Sequence, residues 1–253
     1  MAKLPWVDLV TLEPCEVVVD CRGGLREYLR GVLGDSELAE ELASAAIGAA
    51  RGVRAPYLSR VLSGLDLAMG LRGVDRPEGL GRGLMESAKG WSVFPDAIQG
   101  FATLRESGYR VILVSDVEDW VIRGLVESNG LLVDAAYGAM GGPEGVYVPH
   151  PQMILRAYRD SGVPIWRGLH AGSDLDADVR PAIVMGLRTA WVNRYGDEEP
   201  EEGIASEYVV ESLGELAEQL SEGYEGRDLD GWLRRESDEG SDPRYLGRDG
   251  GHR

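Results

Sequence analysis

A carboxylate that ends a buried apolar run can attack an electrophile or hold a cation, and Asp20 is placed that way in Val17-Val18-Val19-Asp20-Cys21-Arg22-Gly23-Gly24-Leu25. The three β-branched residues read as a strand, and the two glycines read as a flexible turn after it. In an open α/β sheet the carboxyl ends of the strands form the crevice where ligands bind, so an acid at that point is a functional candidate. The same carboxylate could instead cap the turn by accepting backbone amides. Arg22, two residues on, offers a planar fork of donors for Asp20 itself or for a bound phosphate; equally, it could close an internal ion pair.

The elements that would position these groups follow from periodicity. Residues 1–14 read as a surface lead-in, with Trp6 and Leu9 against the sheet edge. Residues 26–90 are apolar at three-to-four spacing with almost no strand signal, which predicts a helical block, with a helix start at Ser36. From Trp91 onward strands and helices alternate: a helix from Pro95, a strand Arg110–Val114 ending at Ser115-Asp116, a helix from Trp120 to Ser128, and a weak strand at Ala135–Tyr137. A helix over Pro151–Ser161, the run Gly168–Ala171, a helix to Met185, strands Thr189–Asn193 and Tyr208–Val210, and a helix Leu213–Leu220 follow. Such alternation implies a parallel sheet with crossover helices. The expected fold is α/β: a Rossmann-like three-layer core with a parallel sheet, formed by 1–25 and 91–223, and an inserted helical cap at 26–90. Residues 224–253 are charged and Gly-rich and read as a mobile tail.

Composition narrows the partners. The chain has 253 residues, 43% hydrophobic and 27% charged, with a formal charge of -17. That charge opposes nucleic acid and anionic membrane surfaces, leaving a small molecule or another protein. No apolar run approaches the ~20 residues of a membrane helix, and no signal peptide is visible, so the expected location is the cytoplasm. Cys15 and Cys21, placed on one extended strand, would be too far apart to bond and are expected as reduced core thiols. Lys3 and Lys89 are the sequence's two lysines.

Three segments together resemble the haloacid dehalogenase superfamily: Val17–Leu25, the strand ending at Ser115, and Ala171-Gly172-Ser173-Asp174-Leu175-Asp176-Ala177-Asp178-Val179, continuing through Gly186 to Trp191-Val192-Asn193-Arg194. The resemblance covers roughly residues 15–220. It implies an aspartate nucleophile at Asp20, a hydroxyl at Ser115 that holds a phosphate oxygen, and Mg²⁺ held by Asp20, Asp174 and Asp178. Substrate contacts are expected from Gly23, Gly24, Asp116 and Lys89. The departures are specific. Arg22 stands at the general-acid position and cannot give up a proton near neutral pH. Val148 stands at the lysine position, Ser173 at the first acid of the metal loop, and Gly24 at a threonine. Lys89, where the cap rejoins the core, could supply the missing cation or be a solvated hinge residue. His150 and His170 read as core or surface residues, and Asp116 and Asp119 as the start of the next helix.

These features imply a hydrolase of small phosphate esters acting through Asp20. A catalytically silent relative that binds a ligand or partner in the same crevice is the alternative, and a 2-haloacid dehalogenase a second one.

Overall fold

The computed structural model describes residues 3–50, 53, 55–139, 150–200 and 206–223. Val148 and the expected tail at 224–253 therefore lie outside the described residues. Strand β1 (Leu9–Leu12) is followed by helices α1 (Cys21–Leu33), α2 (Ser36–Ala50), α3 (Tyr57–Arg72), α4 (Leu80–Ala88) and α5 (Pro95–Glu106). Then come β2 (Arg110–Val114), α6 (Asp119–Ser128), β3 (Ala135–Tyr137), α7 (His150–Ser161) and β4 (Gly168–Gly172). A π-turn (Leu175–Val179) leads to α8 (Arg180–Val184), β5 (Arg188–Val192), β6 (Tyr208–Val210) and α9 (Leu213–Glu222).

The six strands form one parallel sheet in the order β3-β2-β1-β4-β5-β6. Period-two alternation sends Val10, Leu12, Val111 and Leu113 to one face, where they join the larger apolar cluster. Leu9, Ile112 and Val114 go to the other, against Met153, Ile154 and Ala157 of α7. Helices on both faces make the expected three-layer α/β architecture. The insertion α1–α4 shares the larger cluster through Leu25, Leu29, Leu42, Leu65 and Leu84. Among the described residues no helix is long and apolar enough to cross a membrane.

The structure corrects the reading of the first 25 residues. Leu9–Leu12 is the central strand, not a surface lead-in, and it pairs with both β2 and β4. Val17–Val19 is a turn whose valines are fully buried. The cause is local: Pro14 has no N–H to continue the ladder, and Glu16, at φ +66°, turns the chain back. The amides of Val18 and Val19 both donate to the Pro14 carbonyl. A dense β-branched run thus reports burial rather than extension. The same reversal brings Cys15 and Cys21 to a Cα separation of 5.4 Å, and the two are disulfide-bonded, not reduced.

Candidate functional site

Because β1 ends at Leu12, the carboxylate at its carboxyl end is Glu13, not Asp20. The Glu13 amide still donates to the Ala171 carbonyl of β4 at 2.9 Å, which holds the residue between the two strand ends. Its side chain is buried at 6% exposure. Glu13 Oε1 accepts the Ser115 hydroxyl at 2.8 Å and the Cys15 amide at 3.3 Å. Ser115, fully buried, in turn accepts the Val117 amide at 3.0 Å. Ser115 therefore sits where the sequence placed it, but its carboxylate partner is one that the sequence reading missed. The signal was present: Leu9-Val10-Thr11-Leu12 is a short apolar run closed by an acid and a proline.

Asp20 lies seven residues further on, as the N-cap of α1. Its Oδ1 accepts the Gly23 amide at 2.7 Å, the turn-capping role weighed as the alternative. Gly23 and Gly24 serve packing there: a Cβ on Gly23 would strike the Asp20 carboxylate at 2.1 Å, and one on Gly24 the Trp91 ring at 2.4 Å. A cavity of about 280 Å³ is lined by Asp20, Gly23, Gly24, Tyr28 and Trp91.

Arg22 does not pair with Asp20. Its amide donates to Glu16 Oε1 at 2.8 Å, and its guanidinium lies 4.3 Å from the Tyr195 ring centroid. Lys89 pairs with Glu86 at 2.8 Å and stacks on Trp120 at 4.6 Å. Asp116 forms an ion pair with Arg60 at 2.5 Å, and its carbonyl accepts the Tyr57 amide. Asp119 starts α6 and pairs with Arg123. His170 is a fully buried core residue on β4, its Nδ1 3.0 Å from the Thr11 hydroxyl, and His150 opens α7.

The expected metal trio does not assemble. Asp174 Oδ1 caps the π-turn by accepting the Asp176 and Ala177 amides, both at 2.9 Å. Asp178 Oδ2 accepts the Ser173 and Asp174 amides, and Asp20 is spent on α1. Among the described residues no three acids, histidines or cysteines group to hold a metal ion. Asp20, Asp174 and Asp178 are thus not brought together as the ligand set the resemblance implied. Ser173, whose hydroxyl bonds the Cys15 carbonyl at 3.2 Å, ties the β4 loop to the β1 loop instead.

A second polar group sits where the insertion meets the sheet. Buried Glu16 accepts the Tyr195 hydroxyl and the Arg22 amide. Burial pushes its carboxyl up, with Asp20 adding to the rise, while the Tyr195 and Arg22 bonds and the Arg22 charge oppose it. The Tyr57 phenol is also pushed up, first by burial and then by Glu16 and Asp116. Glu118 binds the start of α3 through the amides of Leu58 and Ser59 and the Ser59 hydroxyl. Together with Arg60–Asp116, this clasps the helical insertion to the loop after β2.

No protein-family model matches the chain. Among curated proteins it is similar to the haloacid dehalogenase-like hydrolase domain-containing protein 3 of Danio rerio, 25% identical over 130 residues; the chain spans about half the length of that relative, 53%, and the match takes in 51% of the chain. Among solved structures it resembles the L-2-haloacid dehalogenase from Xanthobacter autotrophicus with chloropropionic acid covalently bound: TM-score 0.68, 20% identity, 84% of this chain and 98% of that one. It also resembles the putative HAD-hydrolase YfnB from Bacillus subtilis bound to magnesium: TM-score 0.71, 15% identity, 85% of this chain and 98% of that one. In its sheet order and in the helices between β1 and β2, the chain is similar in fold to these haloacid dehalogenase-like structures.

Proposed function

We propose that this chain is a superfamily member that binds a small molecule in the crevice at the ends of β1, β2 and β4 and does not turn it over. The observation that carries this reading is the state of the strand-end carboxylate. It is a glutamate, one methylene longer than the aspartate the family uses, and its Oε1 is engaged by Ser115 and by the Cys15 amide. A nucleophile also needs a neighbouring cation and a proton donor to the leaving group. Lys3 pairs with Asp8, beside the opposite end of β1, and Lys89 pairs with Glu86, so neither lysine serves Glu13. The residue two beyond Glu13 is Cys15, locked in a disulfide.

Hydrolysis through an aspartyl-phosphate at Asp20 loses its support, because that carboxylate caps a helix. Dehalogenation, the chemistry named for the solved relatives, also depends on an activated strand-end acid. A panel of phosphate monoesters with Mg²⁺, and 2-chloropropionate without it, tests the reading. The expected result is no phosphate or chloride release above a Glu13→Gln control; release that the control lacks would overturn it.

A further inference from the structure

Between the start of α1 and the chain returning from α4 to α5 lies the cavity of about 280 Å³, which shares no lining residue with the Glu13–Ser115 pair. Its polar lining is Asp20, Glu27, Tyr28, Ser87, Trp91 and Ser92, with no lysine or arginine among the described residues. The cations nearby in the chain are engaged elsewhere: Arg22 stacks on Tyr195, Arg26 pairs with Glu40, and Lys89 pairs with Glu86. Glu27 is matched by Arg30, which leaves Asp20 as the unneutralised charge of the lining. Asp20 caps α1 through Oδ1, while Oδ2 has no hydrogen-bond partner among the described residues. Tyr28 and Ser87 donate their hydroxyl hydrogens to the Leu80 and Leu84 carbonyls at 2.7 and 2.9 Å, so toward a ligand both can only accept. Trp91 offers the opposite. It is 6% exposed, and its buried indole N–H has no partner among the described residues, an unmet donor of a kind that native interiors seldom leave. The five-membered ring that carries this N–H lies against Gly24 at the cavity wall: a Cβ there would come within 2.4 Å of Cγ and 2.6 Å of Cδ1, the atom bonded to the nitrogen.

We propose that this cavity is a binding site in its own right, independent of the strand-end crevice, and that it takes a small ω-amino alcohol. The three N–H donors of a primary ammonium match the acceptors present, with Asp20 supplying the one opposite charge. The indole N–H calls for an acceptor oxygen at the other end of the ligand. Beside an unneutralised Asp20 that oxygen is better neutral, which selects a hydroxyl over a carboxylate. The Tyr28 and Trp91 rings give the alkyl chain between the two ends an apolar wall. At liquid water's share of roughly 30 Å³ per molecule, the volume holds about nine non-hydrogen atoms. An amino alcohol with a pentyl chain fits within it.

The test is calorimetric titration of the full chain at neutral pH with ω-aminopentanol and, separately, with pentanol, pentylamine and ω-aminopentanoate, repeated on Asp20→Asn and Trp91→Phe. Aminopentanol is expected to bind the native chain most tightly. Pentanol, which lacks the charge, should bind about tenfold more weakly or worse, and pentylamine, which lacks the acceptor, about threefold more weakly, as expected for charged and neutral hydrogen bonds respectively. Asp20→Asn keeps a capping oxygen for α1 and removes the charge, so it should fold and lose about tenfold in aminopentanol affinity. Trp91→Phe keeps a ring and removes the N–H, and should lose about threefold. If Trp91→Phe does not fold, pentylamine against aminopentanol makes the same comparison from the ligand's side. No aminopentanol binding, equal binding of pentanol, or native affinity in Asp20→Asn overturns the site. Aminopentanoate binding as tightly as aminopentanol overturns the ligand class. None of these outcomes bears on turnover at Glu13, which the product-release panel decides.

Discussion

Glu13 and Asp20 are both acids that follow an apolar run, and what separates them is the backbone each meets. Glu13 meets a serine hydroxyl and the next strand, whereas Asp20 meets the open amides of a helix start. Asp20→Ala should therefore cost about 1 kcal/mol of stability, the usual loss for an N-cap; a urea melt measures it. Glu16 makes a pH prediction. Its folded carboxyl is raised above the ordinary value of 4.5, chiefly by burial, so the fold holds this proton more tightly than the unfolded chain does. That contribution is fully present below about pH 4.5 and is lost as pH rises through the raised folded value. Stability of the native chain minus that of Glu16→Gln should decline over this window. Paired urea melts from pH 4 to 7 read the difference, and a flat or rising difference would contradict it.

Among the elements, helices with clear caps were legible. α2 begins on Ser36, α5 on Pro95 and α9 covers the expected Leu213–Leu220, whereas α1 starts at Cys21 and takes in Gly23 and Gly24, which were read as a flexible turn because glycine is a weak helix former. Strands β2, β4 and β5 were legible because each is a buried run between turn signals. β1 was not: two of its four residues are leucines, which are not β-branched, against three consecutive valines at Val17–Val19, and the turn at Glu16 leaves no mark on a residue that seldom adopts positive φ. The disulfide was missed for the same reason, since its two ends were placed on one extended strand. It closes a short loop, so reduction or Cys15→Ser should cost about 2 kcal/mol, on the chain-entropy relation for a loop of this size; thermal melts with and without a dithiol read it. The attachment of α3 to the core makes a further prediction. Glu118→Ala removes the charged partner of two amides and a hydroxyl at the helix start, and should cost about 2–3 kcal/mol. Hydrogen exchange should then rise first at Leu58 and Ser59.

For the whole molecule, the α/β class and the alternation after Trp91 followed from periodicity, and the parallel sheet agrees with them. The site did not follow, because one misplaced strand shifts which acid stands at the crevice. The molecule shares the α/β frame of its solved neighbours and carries Glu13 at the end of β1, with the Cys15–Cys21 disulfide directly after it. The measurement that tests this most directly is release of phosphate from a monoester panel by the native chain over hours, beside Glu13→Gln and Asp20→Asn. The prediction is that all three traces superimpose on the buffer blank; release by the native chain that Asp20→Asn abolishes would contradict it.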